Sequence, residues 1–496
     1  MPYPNILHHG AVNGVTDSCH QLQMDALSSL LIDCGLFQGN ERTASGVIGA
    51  LHPHINFALA GIKALEVTHV HADHVRRIPY LLAGGFRGPI VYSEPSAKLL
   101  PLVLEDAFRL ELSREPAHID RYMRRLKQQI IAVPFNQWGS IVKTDTLQAL
   151  IRLQRAGHIL GSAFVECDLD YPQSGLNRRV VFSGDLGAPH TPLLPAQVSP
   201  ERADVLILES TYGDRVHEDR ATRQSRLERA IDKALADQGT LLIPAFAIGR
   251  TQELLYDIED ILYRKTLLDP SLPVNWPQLP IILDSRLASR LPRVYRDLSD
   301  YWDEEAQARL KSGRRLLHFK QMVTVDSHAR YLQAVNYLAS TGRPAIIIAA
   351  GGMCSSGRIV NHLKAMLEDQ RHNVLFIGYQ AQGAPGAAIQ KYGQPSGYVE
   401  LEGKRCIIRA GVSTLGGYSA HADQHDLLAF VSGKKHWPEQ IYLVHGKIMA
   451  KHVFAKKFSN LYHTQNRFVE VRHPGELRGT LLLAHALYDG KTRKNL

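Results

Sequence analysis

The sequence is poor in the features of secreted and membrane proteins. Its five cysteines, in a chain of 496 residues, are scattered and lack a CxxC spacing, which is typical of reduced thiols and argues against disulfides or a thiolate zinc finger. No apolar run reaches the ~18 residues of a membrane span. The N-terminus, MPYPNILHHG, lacks a basic segment followed by an apolar one. We therefore expect a cytoplasmic protein with no membrane partner.

The sequence also lacks a GxSxG elbow, tandem repeats and low-complexity segments, so nothing in it indicates a protein nucleophile or a repeat fold. Hydrophobic residues make up 45% and charged residues 21%, a composition typical of globular proteins. Because single cores stop growing near ~250–300 residues, the length predicts two lobes. The net charge of +9 favours a polyanionic partner, although most such charges lie on solvated faces.

The spacing of apolar residues changes twice along the chain. Short β-type runs alternate with turns over the first ~200 residues, which predicts sheets packed on each other with helices outside. From residue 204, continuous apolar runs such as DVLILES, GTLLIPAFAIGR and RPAIIIAAGG alternate with helical patterns, as in a parallel sheet flanked by helices. Short β segments return after residue 386. The pattern predicts an α/β protein in which one domain is inserted into another.

A dense cluster of metal-ligating residues occupies THVHADH. His69, His71, Asp73 and His74 lie within six positions, directly after an apolar run. In an extended strand His69 and His71 would project from one face, with Asp73 and His74 in the following turn. One tetrahedral ion with an open position uses three protein ligands, so four in one stretch indicate two neighbouring ions.

Three later segments can supply further ligands. Each ends a β-type run with a small-residue turn: RAGHILGSA contains His158, VVFSGDLG contains Asp185 and IYLVHGK contains His445. Taken singly, each residue is more often a hydrogen-bonded structural residue. Together with THVHADH they form a candidate set.

These motifs resemble those of a known family. LIDCGLFQG, THVHADH, AGHILGSA and FSGDLG resemble the successive motifs of the metallo-β-lactamase fold, and ESTYGD, YSAHADQ and LVHGK resemble the additional motifs of its β-CASP branch, which processes nucleic acids. GGMCSSGR and GYQAQGAPG resemble further β-CASP motifs. The resemblance implies an αββα sandwich over residues 1–205 and 386–496, the latter including the RNA-specificity motif, with a β-CASP α/β domain inserted at residues 206–385.

Carried over by position, the resemblance implies a two-ion centre. It assigns His69, His71 and His158 to one Zn²⁺ and Asp73, His74 and His445 to a second, with Mn²⁺ as the alternative metal, and it makes Asp185 the bridge. Asp33 would orient a ligand, unless it caps the turn at Cys34 and Gly35. The catalytic residues implied are Asp73, His421 and Glu209.

The expected reaction is RNA phosphodiester hydrolysis by a bridging hydroxide between two ions. His421 would donate a proton to the departing ribose oxygen, since a neighbouring carboxylate such as Glu209 favours a protonated imidazole. Members that process RNA carry a histidine at the position of His445, where DNA-repair members usually carry valine. Cleavage would be endonucleolytic, with 5′-to-3′ exonuclease activity left open, as is a homodimer. The alternatives are a lactam or thioester hydrolase and a non-catalytic RNA-binding relative.

Three small-residue turns that enter helices are candidates for binding the backbone of single-stranded RNA. Free amides at helix N-termini attract anions, and an arginine stands beside each of these turns. Each could equally be a tight βα turn with a solvated arginine. The candidate residues are Arg250, Thr251, Ser285, Arg286, Ser355, Ser356 and Arg358.

Overall fold

A computed structural model describes residues 3–36, 54–218, 220–236, 238–266, 275–325, 328–341, 343–378, 380, 383–393 and 397–474. Residues 37–39 of the LIDCGLFQG motif, and residues 379, 381 and 382 of the GYQAQGAPG motif, lie outside these ranges. None of the described helices is long and apolar enough to cross a membrane. The five cysteines are all buried and free, as their scattered positions predict.

The first sheet is built from short apolar runs in the first third of the chain. The first three strands pair in antiparallel fashion, and each later strand pairs in parallel with the strand before it. The order of the strands in the sheet is their order in the chain. Its strands are β1 (Asn5–His8), β2 (His20–Gln23), β3 (Ser29–Ile32), β4 (Ile62–Glu66), β5 (Ile90–Ser93) and β6 (Ile130–Val133).

A second sheet packs face to face on the first. Alternating residues of its strands point inward, for example Ala149, Ile151 and Leu153, and share one core with residues of the first sheet such as Leu30 and Ala64. The strand order is β21-β20-β11-β10-β9-β8-β7. The strands are β7 (Trp138–Lys143), β8 (Gln148–Arg155), β9 (Ala163–Tyr171), β10 (Leu176–Phe182), β11 (Val205–Glu209), β20 (Gln440–Val444) and β21 (Glu470–Arg472).

Helices cover the outer faces of both sheets. Those on the first sheet are α1 (Ala72–Val75), α2 (Ile78–Ala83), α3 (Glu94–Glu111) and α4 (Pro116–Gln129); those on the second are α12 (Gln424–Ser432) and α13 (Ile448–Thr464). Phe430, Phe454 and Phe458 from the latter pair pack against Leu206 and Leu208 of β11. The layers are therefore helix, sheet, sheet and helix, which confirms the predicted sandwich.

The inserted part contains a third, wholly parallel sheet with strand order β14-β13-β15-β12-β16-β19. Its central strands are buried on both faces, which explains their continuous apolar sequences. The strands are β12 (Thr240–Ala245), β13 (Ile281–Asp284), β14 (Met322–Thr324), β15 (Ala345–Ala350), β16 (Asn373–Phe376) and β19 (Gly411–Thr414), with a hairpin of β17 (Tyr398–Leu401) and β18 (Lys404–Ile407). The helices are α5 (Arg223–Leu235), α6 (Arg250–Thr266), α7 (Arg286–Asp297), α8 (Glu304–Lys311), α9 (His328–Thr341), α10 (Arg358–Met366) and α11 (Pro385–Tyr392).

The second and third sheets do not begin and end at the predicted domain limits. The limit between residues 205 and 206 falls inside β11, which pairs in parallel with β10 and β20 of the second sheet. Its sequence, DVLILES, is continuously apolar because a central strand of the sandwich is also covered on both faces. At the other end, β19 lies after residue 385 and still pairs with β16 of the third sheet.

Glu66 is a buried carboxyl at the end of β4, and neither of its side-chain oxygens has a hydrogen-bond partner among the described residues. Burial raises the pKa of Glu66 from 4.5 to about 8. The unfolded chain releases this proton near pH 4.5 and the folded protein keeps it to about pH 8, so the free energy of unfolding falls as the pH rises through that interval. Glu66→Gln is expected to be more stable than the unaltered protein at pH 8 by ~3–5 kcal/mol.

Urea unfolding of chelator-treated protein at pH 5 and pH 8 measures this difference. Glu400→Gln changes an exposed carboxylate on β17 and is the matched control, for which we expect no gain in stability at either pH. Equal unfolding free energies for Glu66→Gln and the unaltered protein at pH 8 would contradict the prediction.

Candidate metal centre

The loop after β4 and the short helix α1 together contain the first four candidate ligands. Strand β4 ends at Glu66, so His69 and His71 lie in this loop, and the prediction that they share one face of a strand is wrong. The strand ends early because the Thr68 amide donates a hydrogen bond to Asp33 Oδ1, at 2.8 Å, instead of to a neighbouring strand. His71 then caps the short helix α1, which contains Asp73 and His74.

Four imidazole and carboxylate groups converge in a first set. His71 Nδ1 lies 3.0 Å from His69 Nε2 and 3.1 Å from His158 Nε2. Asp185 Oδ2 lies 3.6 Å from the Nε2 atoms of both His69 and His158. Ligands bound at ~2.0–2.1 Å to one tetrahedral zinc are ~3.3 Å apart. The set therefore has the spacing that a single tetrahedral ion requires.

A second set lies directly beside the first. Asp73, His74 and His445 offer ligand atoms within 4.8 Å of one another, and His445 Nε2 lies 3.5 Å from Asp73 Oδ2. Asp185 also reaches this set, because its Oδ2 lies 3.4 Å from His74 Nε2 and its Oδ1 lies 3.4 Å from His445 Nδ1. Asp185 is thus the carboxylate that touches both sets.

Several buried atoms at the second set lack a conventional partner. His74 Nε2, His445 Nε2 and Asp185 Oδ1 have no hydrogen-bond partner within the part of the chain that the structure describes. Buried polar atoms are almost always satisfied, so each such group needs an explanation. A cation bound between them would satisfy all three atoms at once, and imidazole and carboxylate are ligands that suit Zn²⁺. The residues present therefore fit a metal ion.

The electrostatics of the first set also suit a metal. Burial lowers the pKa of His69 and His158 well below the usual range and lowers the pKa of His71 to about 4. All three imidazoles are therefore neutral at pH 7, which is the form that binds metals.

In the second set, protons balance the carboxylate charge when no metal is bound. Burial alone would lower the pKa of His74, but the carboxylates of Asp185 and Asp33 outweigh burial and raise it well above its usual range. Burial alone would likewise raise the pKa of Asp185, but His445 and His74 hold it well below its usual range. A divalent cation would replace these protons, since metal ligands must be deprotonated.

Asp33 lies behind the second set and holds His74 in place. Its Oδ2 is 2.7 Å from His74 Nδ1, which leaves Nε2 directed at Asp185. The Ser18 hydroxyl donates to the same carboxylate at 3.1 Å. Asp33 and His445 both have positive φ angles, 60° and 46°, which are uncommon for residues other than glycine and tend to cluster at functional sites.

His421 and Glu209 form a pair at the edge of the two sets. Both carboxylate oxygens of Glu209 lie 3.1–3.2 Å from His421 Nδ1, and the Leu186 amide donates to one of them at 2.8 Å. Backbone pairing between Gly187 and His421 holds the imidazole there. His421 Nε2 is 3.9 Å from Asp185 Oδ2 and is partly exposed, so it faces both the candidate ligands and solvent.

Three supporting residues were not singled out from the sequence. The Thr68 hydroxyl lies 2.9 Å from Asp33 Oδ2, the Thr211 hydroxyl lies 3.1 Å from His445 Nδ1, and His217 Nε2 lies 3.0 Å from the carbonyl oxygen of His421. Both threonines stand inside the quoted motifs THVHADH and ESTYGD, so motif membership was an available signal. No comparable signal exists for His217.

The three candidate RNA-binding turns lie at one edge of the third sheet. Strands β12, β13 and β15 are parallel neighbours, and the helices that follow begin at Arg250, Arg286 and Arg358. These turns therefore share the carboxyl edge of the third sheet. Ser355 and Ser356 are exposed at the same edge.

The side chains in these turns differ in how far they are exposed and in the contacts they already make within the protein. Thr251 and Ser285 are buried and make local hydrogen bonds, from Thr251 Oγ1 to the Phe246 carbonyl and from the Ala288 amide to Ser285 Oγ. Arg286 is exposed and pairs with Asp106 at 3.0 Å. Arg358 donates to Asp284 and to the Val325 carbonyl. Arg250 is 13% exposed, 3.5 Å from Glu253. Binding of RNA by these residues stays a prediction.

The sandwich and its paired ligand sets define the class of the protein as a metal-dependent hydrolase of metallo-β-lactamase fold. The family profile described as the Beta-Casp domain matches residues 251–389. A second profile, described as the Zn-dependent metallo-hydrolase RNA specificity domain, matches residues 406–474. The chain is 34% identical to a ribonuclease of Thermus thermophilus over 443 residues, which cover 89% of this chain and 93% of that one. The chain therefore belongs to the β-CASP family of metallo-hydrolases.

Other similarities are more partial. The transcription termination factor FttA of Methanothermobacter thermautotrophicus is 28% identical over 88% of this chain, and the match spans only 66% of that protein. A crystal structure of the metallo-β-lactamase MIM-1 from Novosphingobium pentaromativorans is 16% identical and covers 35% of this chain and 59% of that one, with a TM-score of 0.21.

Proposed function

We propose that the protein is a zinc-dependent ribonuclease that hydrolyses phosphodiester bonds of single-stranded RNA at a two-ion centre. The observation that carries the proposal is the convergence of seven metal-ligating side chains from distant parts of the sequence into two adjacent sets that meet at Asp185. A single structural ion would need only four of these seven side chains, and a protein that binds RNA without cleaving it would need none of them.

His69, His71 and His158 would hold one ion, and Asp73, His74 and His445 the other, with Asp185 shared. When bound, two such ions would supply a water of lowered pKa and would neutralise charge on the phosphate. Asp33 and Thr211 keep the ligating nitrogens of His74 and His445 directed at the centre, since hydrogen bonds to the opposite ring nitrogen fix the orientation of an imidazole.

His421 would act on the leaving ribose oxygen. Its Nδ1 is held by the buried carboxylate of Glu209, which fixes the orientation of the ring and leaves Nε2 as the proton donor. This nitrogen is near Asp185 Oδ2 and reachable from solvent, as a proton donor to the substrate requires. A lactam or thioester hydrolase would have no need of this pair or of the inserted parallel sheet.

RNA is favoured over other substrates by three findings. The profile that matches residues 406–474, which include His421 and His445, is described as an RNA specificity domain. The relative from Thermus thermophilus is named a ribonuclease. The net charge of +9 suits a polyanion. We propose endonucleolytic cleavage as the main activity, with trimming from the 5′ end as a second mode at the same centre.

A defined RNA labelled at its 5′ or its 3′ end tests the proposal. Zinc-loaded protein is expected to release internal fragments visible with either label, and progressive shortening from the 5′ end would identify the second mode. Chelator-treated protein and His71→Ala should leave the RNA intact, whereas His118→Ala, which changes an exposed histidine on α4, should cut normally. Parallel reactions with Mn²⁺ and with a thioester complete the design. Uncut RNA together with a hydrolysed thioester would refute the ribonuclease assignment.

A further inference from the structure

Phe246 is a large aromatic side chain that remains 43% exposed directly after β12, at the carboxyl edge of the third sheet. This edge approaches the metal centre: a side chain at Gly249 would lie 2.6 Å from Ile159 and 3.9 Å from His71 Nε2. Three residues of extended chain span at most ~11 Å. Phe246 is therefore close enough to contact a nucleotide that flanks the scissile phosphate.

The loop that carries Phe246 is held by side chains from the first turn of α6. Thr251 Oγ1 donates to the Phe246 carbonyl at 2.7 Å, and Gln252 Nε2 donates to the Ala247 carbonyl at 3.1 Å. The Gly249 amide donates to Gln252 Oε1 at 2.8 Å. Because Thr251 and Gln252 are both buried, the exposure of the aromatic ring does not result from a loosely held loop.

Part of the Phe246 ring lies against the loop after β15, and the side chain as a whole remains 43% exposed. A Cβ added at Gly352, in the loop after β15, would come within 3.2–3.3 Å of three ring atoms. Glycine at this position therefore lets the ring rest on backbone. Arg250 begins α6 four residues later in the sequence. Proteins that bind single-stranded nucleic acids without sequence preference combine a positively charged groove with aromatic side chains on which bases stack.

We propose that Phe246 is a stacking platform for one nucleobase of the substrate, next to the phosphate that is cleaved. This inference rests on the proposed ribonuclease function and adds a binding subsite to it. Stacking tolerates every base, because each has a π face. The subsite would thus anchor the strand without selecting a sequence, while Thr251 acts as a positioning residue that fixes the platform.

Substitution of Phe246 combined with abasic substrates tests the subsite. Phe246→Leu keeps an apolar side chain but removes the aromatic face, and we expect it to raise KM for RNA roughly 5- to 150-fold, the range for loss of one stacked base. kcat should change much less, and Phe246→Trp should restore KM. RNAs that carry one abasic nucleotide at successive positions around the cut should reveal a single position at which the unaltered protein loses affinity. Phe246→Leu should show no further loss there.

Tyr263→Leu is the matched control. Tyr263 is 50% exposed and lies thirteen residues beyond Arg250 on α6, which is ~20 Å along the helix. The KM and the abasic profile of the Tyr263→Leu variant should therefore equal those of the unaltered protein. Zinc content and thermal midpoint establish that each variant is folded. If the unaltered protein cuts RNA and Phe246→Leu retains its KM and abasic profile, the subsite is refuted and the ribonuclease function stands. If the unaltered protein neither binds nor cuts RNA, both proposals fail.

Discussion

Replacing Asp185 by asparagine is expected to lower the rate of RNA cleavage by at least ~10³-fold, since the metals are worth several kcal/mol of transition-state stabilisation. Asp185 is the carboxylate that contacts both ligand sets, with separations of 3.4–3.6 Å to four imidazoles. Asparagine keeps the shape of the side chain but removes the charge that offsets two cations. We expect the zinc content to fall from two ions per chain to one or none, as measured by elemental analysis alongside single-turnover cleavage.

Asp297→Asn is the control for this variant, because Asp297 is an exposed carboxylate at the end of α7 and should affect neither quantity. Thermal unfolding of the chelated proteins separates loss of metal from loss of fold. Two bound zinc ions in Asp185→Asn together with full activity would overturn the role of Asp185. One bound ion with full activity would instead show that a single ion suffices for the reaction.

Replacing His421 by alanine is expected to leave both zinc ions in place and to lower turnover by ~100-fold or more, the usual contribution of a general acid. The reason is positional: His421 contacts Glu209 through Nδ1 and lies farther from Asp185 than the ligands do. The loss should be smaller for an RNA analogue with a better leaving group at the cut, since such a group departs without a proton. Turnover and zinc content measured on the same preparation provide the comparison.

His425→Ala is the matched control, since His425 is an exposed imidazole in the first turn of α12, four residues from His421. It should retain full turnover. If His421→Ala lost zinc, the residue would be a ligand rather than a proton donor. If it retained both zinc and activity, or lost equal activity on both leaving groups, the proton-donor role would be refuted.

The positions of the candidate ligands could be predicted from the sequence for two different reasons. THVHADH is dense enough to stand out by itself, because four ligating residues in six positions rarely serve structure alone. His158, Asp185 and His445 are different, since a lone polar residue after a strand is usually structural, and the order of the motifs was needed to assign them to a metal site. The layered sandwich and the parallel insert followed from the apolar periodicity.

Details that the sequence did not reveal depend on contacts between segments that are distant in sequence. The early end of β4 results from a hydrogen bond between Thr68 and Asp33, 35 positions apart. Arg358 is engaged by Asp284, 74 positions away. The ring of Phe246 lies close to Gly352, 106 positions away. None of these contacts leaves a periodic pattern or a motif that local reasoning can detect.

The order of the ligands along the chain has a consequence for synthesis. His445 follows β20, which lies between β11 and β21 in the second sheet, whereas the other six ligands precede residue 186. A growing chain on the ribosome therefore contains six of the seven candidate ligands well before His445 has been synthesised. The proposed two-ion centre therefore cannot form until β20 and His445 have been synthesised and β20 has paired with β11.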